Sequence, residues 1–204
     1  MYELQGKFEN KVIAITGASG YIGSALVNEL EKYSAKKLIR ISRKKLKSNG
    51  NVEDWNIGLN NLDSWRKIIN QSDIIFHLSG NTSIAAAEKN PKNSLNAEIL
   101  PIMNLLNAAR ELSKKPRFIY ASTATIYGLT QNFPVSEDQA PNPITCYDTN
   151  KLSAEQKLKI ARSENLIESV SLRLANVYGP SNSESSSLDR GILSKIARQG
   201  FENK

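Results

Sequence analysis

One short stretch restricts the fold more than any other. Val12-Ile13-Ala14-Ile15 is an apolar, β-branched run of strand character, and Thr16-Gly17-Ala18-Ser19-Gly20-Tyr21-Ile22-Gly23 follows it at once. Residues 21–33 come next, with Ile22, Leu26 and Leu30 on one face of a predicted helix. A strand, a glycine turn and a helix in that order make a cradle for phosphate. The helix start offers unpaired N–H groups and the positive end of its dipole. Gly17 permits the tight turn, Gly20 lets backbone approach a pyrophosphate, and Gly23 lets helix and strand pack closely. Ser19, Tyr21 and Ile22 share that turn. A lone glycine motif is often only a turn, but the strand before it and the helix after it favour a dinucleotide site. The spacing is G-x-x-G-x-x-G, not G-x-G-x-x-G.

The rest of the chain repeats the alternation. Further strands are predicted at residues 38–41, 51–53, 74–78, 118–121 and 169–174, and helices at 62–69, 94–112, 147–163 and 188–198. In the long helix Leu95, Ile99, Ile102, Leu105, Leu106 and Ala109 are expected on one side, with a kink at Pro101. Alternation of this kind predicts an α/β fold, a doubly wound parallel sheet with helices on both faces, Rossmann-like. Residues 1–180 form the expected dinucleotide-binding domain, and 181–204 a loop and helix leading onward. Pro180-Ser181-Asn182-Ser183-Glu184-Ser185-Ser186-Ser187 is polar and loop-like, the best candidate for a mobile segment.

A dinucleotide site needs a ribose reader after the second strand. An acidic residue there favours NAD, and a basic one accepts the 2′-phosphate of NADP. Ser42-Arg43-Lys44 stand there without a carboxylate, so NADP is preferred over NAD, the other reading being a solvated basic loop. Asp54, after the third strand, suits the adenine amino group. Leu78, Ser79 and Gly80 close the strand at 74–78.

Tyr147 and Lys151 stand four apart and so share a helix face. A free tyrosine is a weak base, but a neighbouring ammonium favours its phenolate, which could then take a hydroxyl proton. Such a pair also arises by chance. Tyr120-Ala121-Ser122-Thr123-Ala124-Thr125-Ile126-Tyr127-Gly128 puts hydroxyls at a strand's end, and Thr123 could bond the reacting oxygen and share its proton with Tyr147.

Composition excludes other classes. Cys146 is the only cysteine and His77 the only histidine, so disulfides, cysteine-rich zinc sites and His-pair metal sites are not expected. The net charge of +7 is dispersed apart from Arg43-Lys44-Lys45-Leu46-Lys47, and no aromatics interleave with that run, so nucleic acid is not an expected partner. No signal-peptide core opens the chain and no apolar run would span a membrane, which points to the cytoplasm.

Together these segments resemble an extended short-chain dehydrogenase/reductase of the NAD-dependent epimerase/dehydratase family, whose members act mostly on nucleotide-sugars. The resemblance rests on residues 16–23, Asp73-Ile74-Ile75-Phe76-His77-Leu78, residues 121–128, residues 147–151 and Leu172-Arg173-Leu174-Ala175-Asn176-Val177-Tyr178-Gly179-Pro180. It implies Tyr147 as base, Lys151 on the nicotinamide ribose, Thr123 as hydroxyl partner, and the three glycines along the pyrophosphate. Leu78, Ser79 and Gly80 would lie along the cofactor, and Asn176 at the substrate's phosphate end. Asn96 would bond backbone near the site. His77 is given no chemistry. A homodimer through the helices carrying Leu105, Leu106, Leu152 and Leu158 is implied as well.

Departures narrow the expectation. The family's 4,6-dehydratases place Asp-Glu after the hydroxyl residue, where this chain has Ala124-Thr125, so epimerisation is favoured over dehydration. Ser79-Gly80-Asn81-Thr82 lacks the lysine of galactose epimerases. Family members also continue well past this length into a substrate-binding domain, so the chain is expected to be an N-terminal portion or a shortened member. The alternatives are a dinucleotide-binding module without catalysis and a reductase of non-sugar ketones.

Overall fold

The computed structural model describes residues 6–43, 50–80, 83–130 and 133–179, with 196, 199 and 200. Lys44, Asn81, Thr82, the Ser-rich stretch at 180–187 and all of the predicted last helix but 196 lie outside the described residues. The chain divides into two compact units. One comprises residues 1–57, 74–79 and 176–204, the other 58–73 and 80–175.

The first unit holds β1 (Val12–Thr16), α1 (Tyr21–Leu30), β2 (Lys37–Ile41), β3 (Val52–Trp55) and β4 (Ile74–His77). Its strands pair in parallel in the order β3-β2-β1-β4. Apolar runs become such strands because parallel strands are covered on both faces. Ile13, Ile15, Val27, Leu30, Leu38 and Val52 form one buried cluster, with Phe8, Leu26, Ile74 and Phe76 packed against it. The register brings the carboxyl ends level: Thr16 is opposite both Ile41 and His77, and Ile41 is opposite Trp55. Ligands of open parallel sheets bind beyond such ends.

The second unit holds α2 (Leu62–Gln71), α3 (Ile84–Lys89), α4 (Pro91–Glu111), β5 (Arg117–Thr123), a 3₁₀ turn (Ala124–Tyr127), α5 (Cys146–Ser163) and β6 (Glu168–Leu174). β5 and β6 run parallel, with Thr123 opposite Leu174. α4 packs against both α2 and α5. Trp65 of α2 is fully buried, stacks edge-on against Phe118 and donates its indole N–H to Leu59 O at 2.7 Å. Six strands, parallel in each of these pairings and alternating with helices, make the expected Rossmann-like α/β class.

Four local readings change. The short α3 went unpredicted, because Ile84-Ala85-Ala86-Ala87-Glu88-Lys89 holds too few turns to show a period. α4 starts at Pro91, capped by the Asn90 side chain, rather than at 94, and it runs unbroken through a buried Pro101. Its buried side carries Ser94, Glu98, Pro101, Ile102, Leu105, Leu106, Ala108 and Ala109, while Leu95 is exposed. Ile102, Leu105, Leu106 and Ala109 lie on it as expected, Ile99 is half-buried, and in the first turns polar Ser94 and Glu98 take the buried places instead. Asp54 lies within β3 rather than after it.

Candidate active site

In the first unit, backbone shapes the glycine turn. Gly17 sits at φ +69°, in the left-handed region, and a Cβ there would stand 2.9 Å from the backbone of Leu78 and Ser79. A Cβ on Gly23 would come within 2.2 Å of Gly17 O. The close approach that Gly23 permits is thus to the turn itself. Gly20 caps α1 without a side-chain hydrogen bond, so the first N–H groups of the helix have no side-chain acceptor among the described residues. The turn is closed by Gly20 N donating to Gly17 O at 2.8 Å, and Ala18 N donates to Ile41 O.

Side chains brace that backbone. The Thr16 hydroxyl bonds His77 Nδ1 at 2.8 Å and accepts from Ser79 N, both residues of the pair being buried. His77 therefore ties two strand ends together. The Tyr21 hydroxyl donates to Gly179 O at 2.8 Å, which fastens the glycine turn to the segment holding Asn176. Asn176 is exposed, and Ser19 and Ile22 are half-buried. Ser42 is buried, and its N–H donates to Trp55 O. Arg43 is exposed, with its carbonyl held by the Asn56 amide. Asp54 forms a two-pronged ion pair with Arg40, at 2.8 and 2.7 Å, both side chains being mostly covered. Leu78 and Ser79 are half-buried. A Cβ at Gly17 or Gly23 would push the surrounding backbone apart, and the tight turn so formed, with the uncapped start of α1 behind it, suits a dinucleotide pyrophosphate.

In the second unit, side chains do the shaping. α5 opens on a capping box: the Thr145 hydroxyl accepts from Asp148 N, and Asp148 Oδ2 accepts from Thr145 N. The Thr145 hydroxyl also donates to Asp148 Oδ2 at 2.7 Å, and the Thr125 hydroxyl donates to Asp148 Oδ1. A carboxylate only accepts, so the proton of Thr125 is committed to Asp148. The 2.8 Å contact between the Thr123 and Thr125 hydroxyls is then donated by Thr123. In this arrangement the Thr123 hydroxyl is the donor to Thr125.

Lys151 is nearly buried beneath Tyr147. Its ammonium lies 5.9 Å from the Tyr147 ring centroid and 4.8 Å from that of Tyr120. It donates to Ala121 O at 2.9 Å and pairs with Glu98 Oε1 at 2.8 Å. Glu98 is 2% exposed and also accepts from the Tyr120 hydroxyl. Burial and then the Glu98 charge push the Tyr120 phenol well above its ordinary value, so Tyr120 stays a donor. Gly80 faces Glu98: a Cβ there would stand 2.7 Å from Oε2. Farther along α5, Glu155 holds Arg173, whose guanidinium also donates to the Tyr127 hydroxyl.

The structure ties Thr123 through Thr125 to Asp148, and Lys151 to Ala121 and Glu98, with the Lys151 ammonium 5.9 Å from the Tyr147 ring centroid. Asn96 is exposed and takes no part; Glu98, two residues on, occupies the buried place. Sequence reasoning missed Glu98, Tyr120, Thr125 and Asp148. The Thr145-x-x-Asp148 spacing of a capping box was readable. The buried place of Glu98, four residues after Ser94 and four before Ile102, was not, because a charged residue there breaks the apolar pattern. Leu105, Leu106 and Leu158 belong to the core, and Leu152 is half-buried. Among the described residues no His, Cys, Asp and Glu cluster could hold a metal, and no helix is long and apolar enough to cross a membrane.

Residues 13–204 match the family described as NAD dependent epimerase/dehydratase. The chain belongs to that family. Among its curated relatives, a UDP-glucose 4-epimerase of Mycoplasma genitalium is 28% identical over 183 residues, which is 82% of this chain and 53% of the relative. Among solved structures, a UDP-glucose 4-epimerase of Thermotoga maritima with UDP-glucose superposes with a TM-score of 0.82 at 25% identity, covering 95% of this chain and 64% of that one. A UDP-glucuronic acid 4-epimerase of Bacillus cereus, solved with UDP-glucuronic acid and NAD, gives 0.80 at 27% identity with the same coverage. The epimerase family chain described here spans about half the length of the curated relatives it matches.

Proposed function

We propose that this chain carries the oxidoreductase half of a nucleotide-sugar epimerase. The observation that supports it is the Thr123, Tyr147 and Lys151 set, locked to β5 by Lys151 on Ala121 O and by Thr125 on Asp148. A nicotinamide dinucleotide, when bound, supplies the hydride acceptor. Tyr147 Oη takes the proton of the sugar hydroxyl as its carbon is oxidised to a ketone. Thr123 is the hydroxyl partner that orients the reacting oxygen beside Tyr147. Lys151 has three N–H donors, of which two are given to Ala121 and Glu98, and the third serves the nicotinamide ribose. Return of the proton from Tyr147 Oη to the ketone oxygen would complete epimerisation, the hydride for the other face being what a bound nicotinamide would supply.

The glycine turn at Gly17, Gly20 and Gly23, with Ser19, Tyr21 and Ile22, receives the pyrophosphate. Leu78, Ser79 and Gly80 line the cofactor, and Asn176 meets the nucleotide-sugar's phosphate end. Ser42 and the exposed Arg43, in a Ser42-Arg43-Lys44 run that holds no carboxylate, favour NADP over NAD at the adenine ribose. Asp54 is the candidate for the adenine amino group, as an acceptor already paired with Arg40. In this reading residues 1–180 bind the dinucleotide and 181–204 lead toward a substrate domain. A cytoplasmic homodimer completes it.

Tyr147→Phe tests the role. The variant is expected to lose turnover by about 10²–10⁴-fold while titration with NAD or NADP gives a near-unchanged Kd. Turnover at the wild-type level removes Tyr147 from its role.

A further inference from the structure

A buried lysine beside a catalytic tyrosine is a source of positive field only if its own charge is not cancelled nearby. Here it is cancelled. Glu98, on α4, places Oε1 2.8 Å from Lys151 Nζ, and the carboxylate is more deeply buried than the ammonium, at 2% against 7% side-chain exposure. Tyr120 donates to the same oxygen, and Gly80 leaves room for the other. The Tyr120 hydroxyl therefore holds the carboxylate on the lysine, and burial strengthens its effect because little water screens it.

We propose that Glu98 is the internal counter-ion of Lys151 and sets the charge that Tyr147 feels. Resting on the role assigned to Tyr147, this makes Glu98 a positioning residue: it acts through Lys151 and touches neither substrate nor cofactor. The net charge beneath the Tyr147 ring is close to zero, so the phenol is less inclined to ionise than beside a lone ammonium. Among the described residues the other titratable groups near this cluster have partners of their own, and at the start of α5, Glu88 of α3 accepts from Cys146 N. Tyr120 of β5 is a neutral donor to Glu98, Glu155 of α5 is held by Arg173 of β6, and Asp148 of α5 is held by Thr125 and Thr145.

The test follows the phenolate absorbance of Tyr147 with pH, taken as the difference between each protein and its Tyr147→Phe counterpart. No substrate is needed, so the outcome stands apart from whether any nucleotide-sugar is turned over. Glu98→Gln keeps size and hydrogen-bonding capacity but removes the negative charge. It is expected to lower the Tyr147 midpoint by about one pH unit or more, roughly tenfold more phenolate below the midpoint. Glu98→Asp keeps the charge and is expected to stay near wild type. Should Glu98→Gln unfold because Lys151 is left uncompensated, Lys151→Met and the Lys151→Met/Glu98→Gln double variant decide. The single change is expected to raise the midpoint and the double change to bring it back toward wild type. Equal midpoints in wild type and Glu98→Gln, or in the Lys151→Met single and double variants, overturn the proposal.

Discussion

The glycine turn of the first unit and the Thr123, Tyr147 and Lys151 network of the second solve opposite problems. The turn works by leaving side chains out. Gly17 and Gly23 are required because a Cβ would strike backbone at 2.9 and 2.2 Å, and α1 opens without a side-chain cap. The network works by filling space with polar side chains and then satisfying every demand they create. Glu98, Asp148 and Lys151 are all buried, and each is held by at least two partners. A backbone site tolerates almost no added atom, whereas a side-chain site tolerates shape changes but not unbalanced charge.

That contrast can be broken at three places. The largest effect is expected from Gly23→Ala, which forces the turn open and lowers stability by about 1–3 kcal/mol. Thermal unfolding and cofactor titration both report it, and a wild-type melting temperature with wild-type Kd would show that the turn has room to spare. Next is Thr125→Val, which keeps volume, strips the Thr123 proton of its acceptor and takes a donor from Asp148. Turnover is expected to fall about tenfold with cofactor binding kept, a loss of the size of one hydrogen bond to a charged group. An unchanged rate would mean that the relay does not orient Thr123. Smallest is Arg43→Ala, for a side chain that is exposed. NADP affinity is expected to drop about tenfold or less and NAD affinity to hold. Equal losses for the two, or none, count against a 2′-phosphate contact.

The same contrast explains what the sequence made legible. The turn was readable because glycines at fixed spacing between a strand and a helix have few other uses. The parallel strands were readable from apolar runs such as Val12–Thr16. Tyr147 and Lys151 were readable as a pair because four residues is one helical turn. Glu98 was not. Its partners Tyr120 and Lys151 lie 22 and 53 residues away and meet it only when α4, β5 and α5 pack together. The exposed Asn96, two positions earlier, took its place because the resemblance placed a polar contact there. The direction of the Thr123 proton was hidden for the same reason: it follows from Asp148, which is close in space and 25 residues off in sequence.

The central claim is that Tyr147 draws a proton from a nucleotide-sugar hydroxyl while a bound nicotinamide takes the hydride. Nicotinamide absorbance, recorded with UDP-glucose and UDP-glucuronic acid added in turn to protein saturated with NAD or NADP, addresses it most directly. The account predicts that at least one sugar produces reduced nicotinamide in wild type and none does in Tyr147→Phe. Reduction that persists in the variant, or no reduction by either sugar in a protein that binds cofactor, contradicts it.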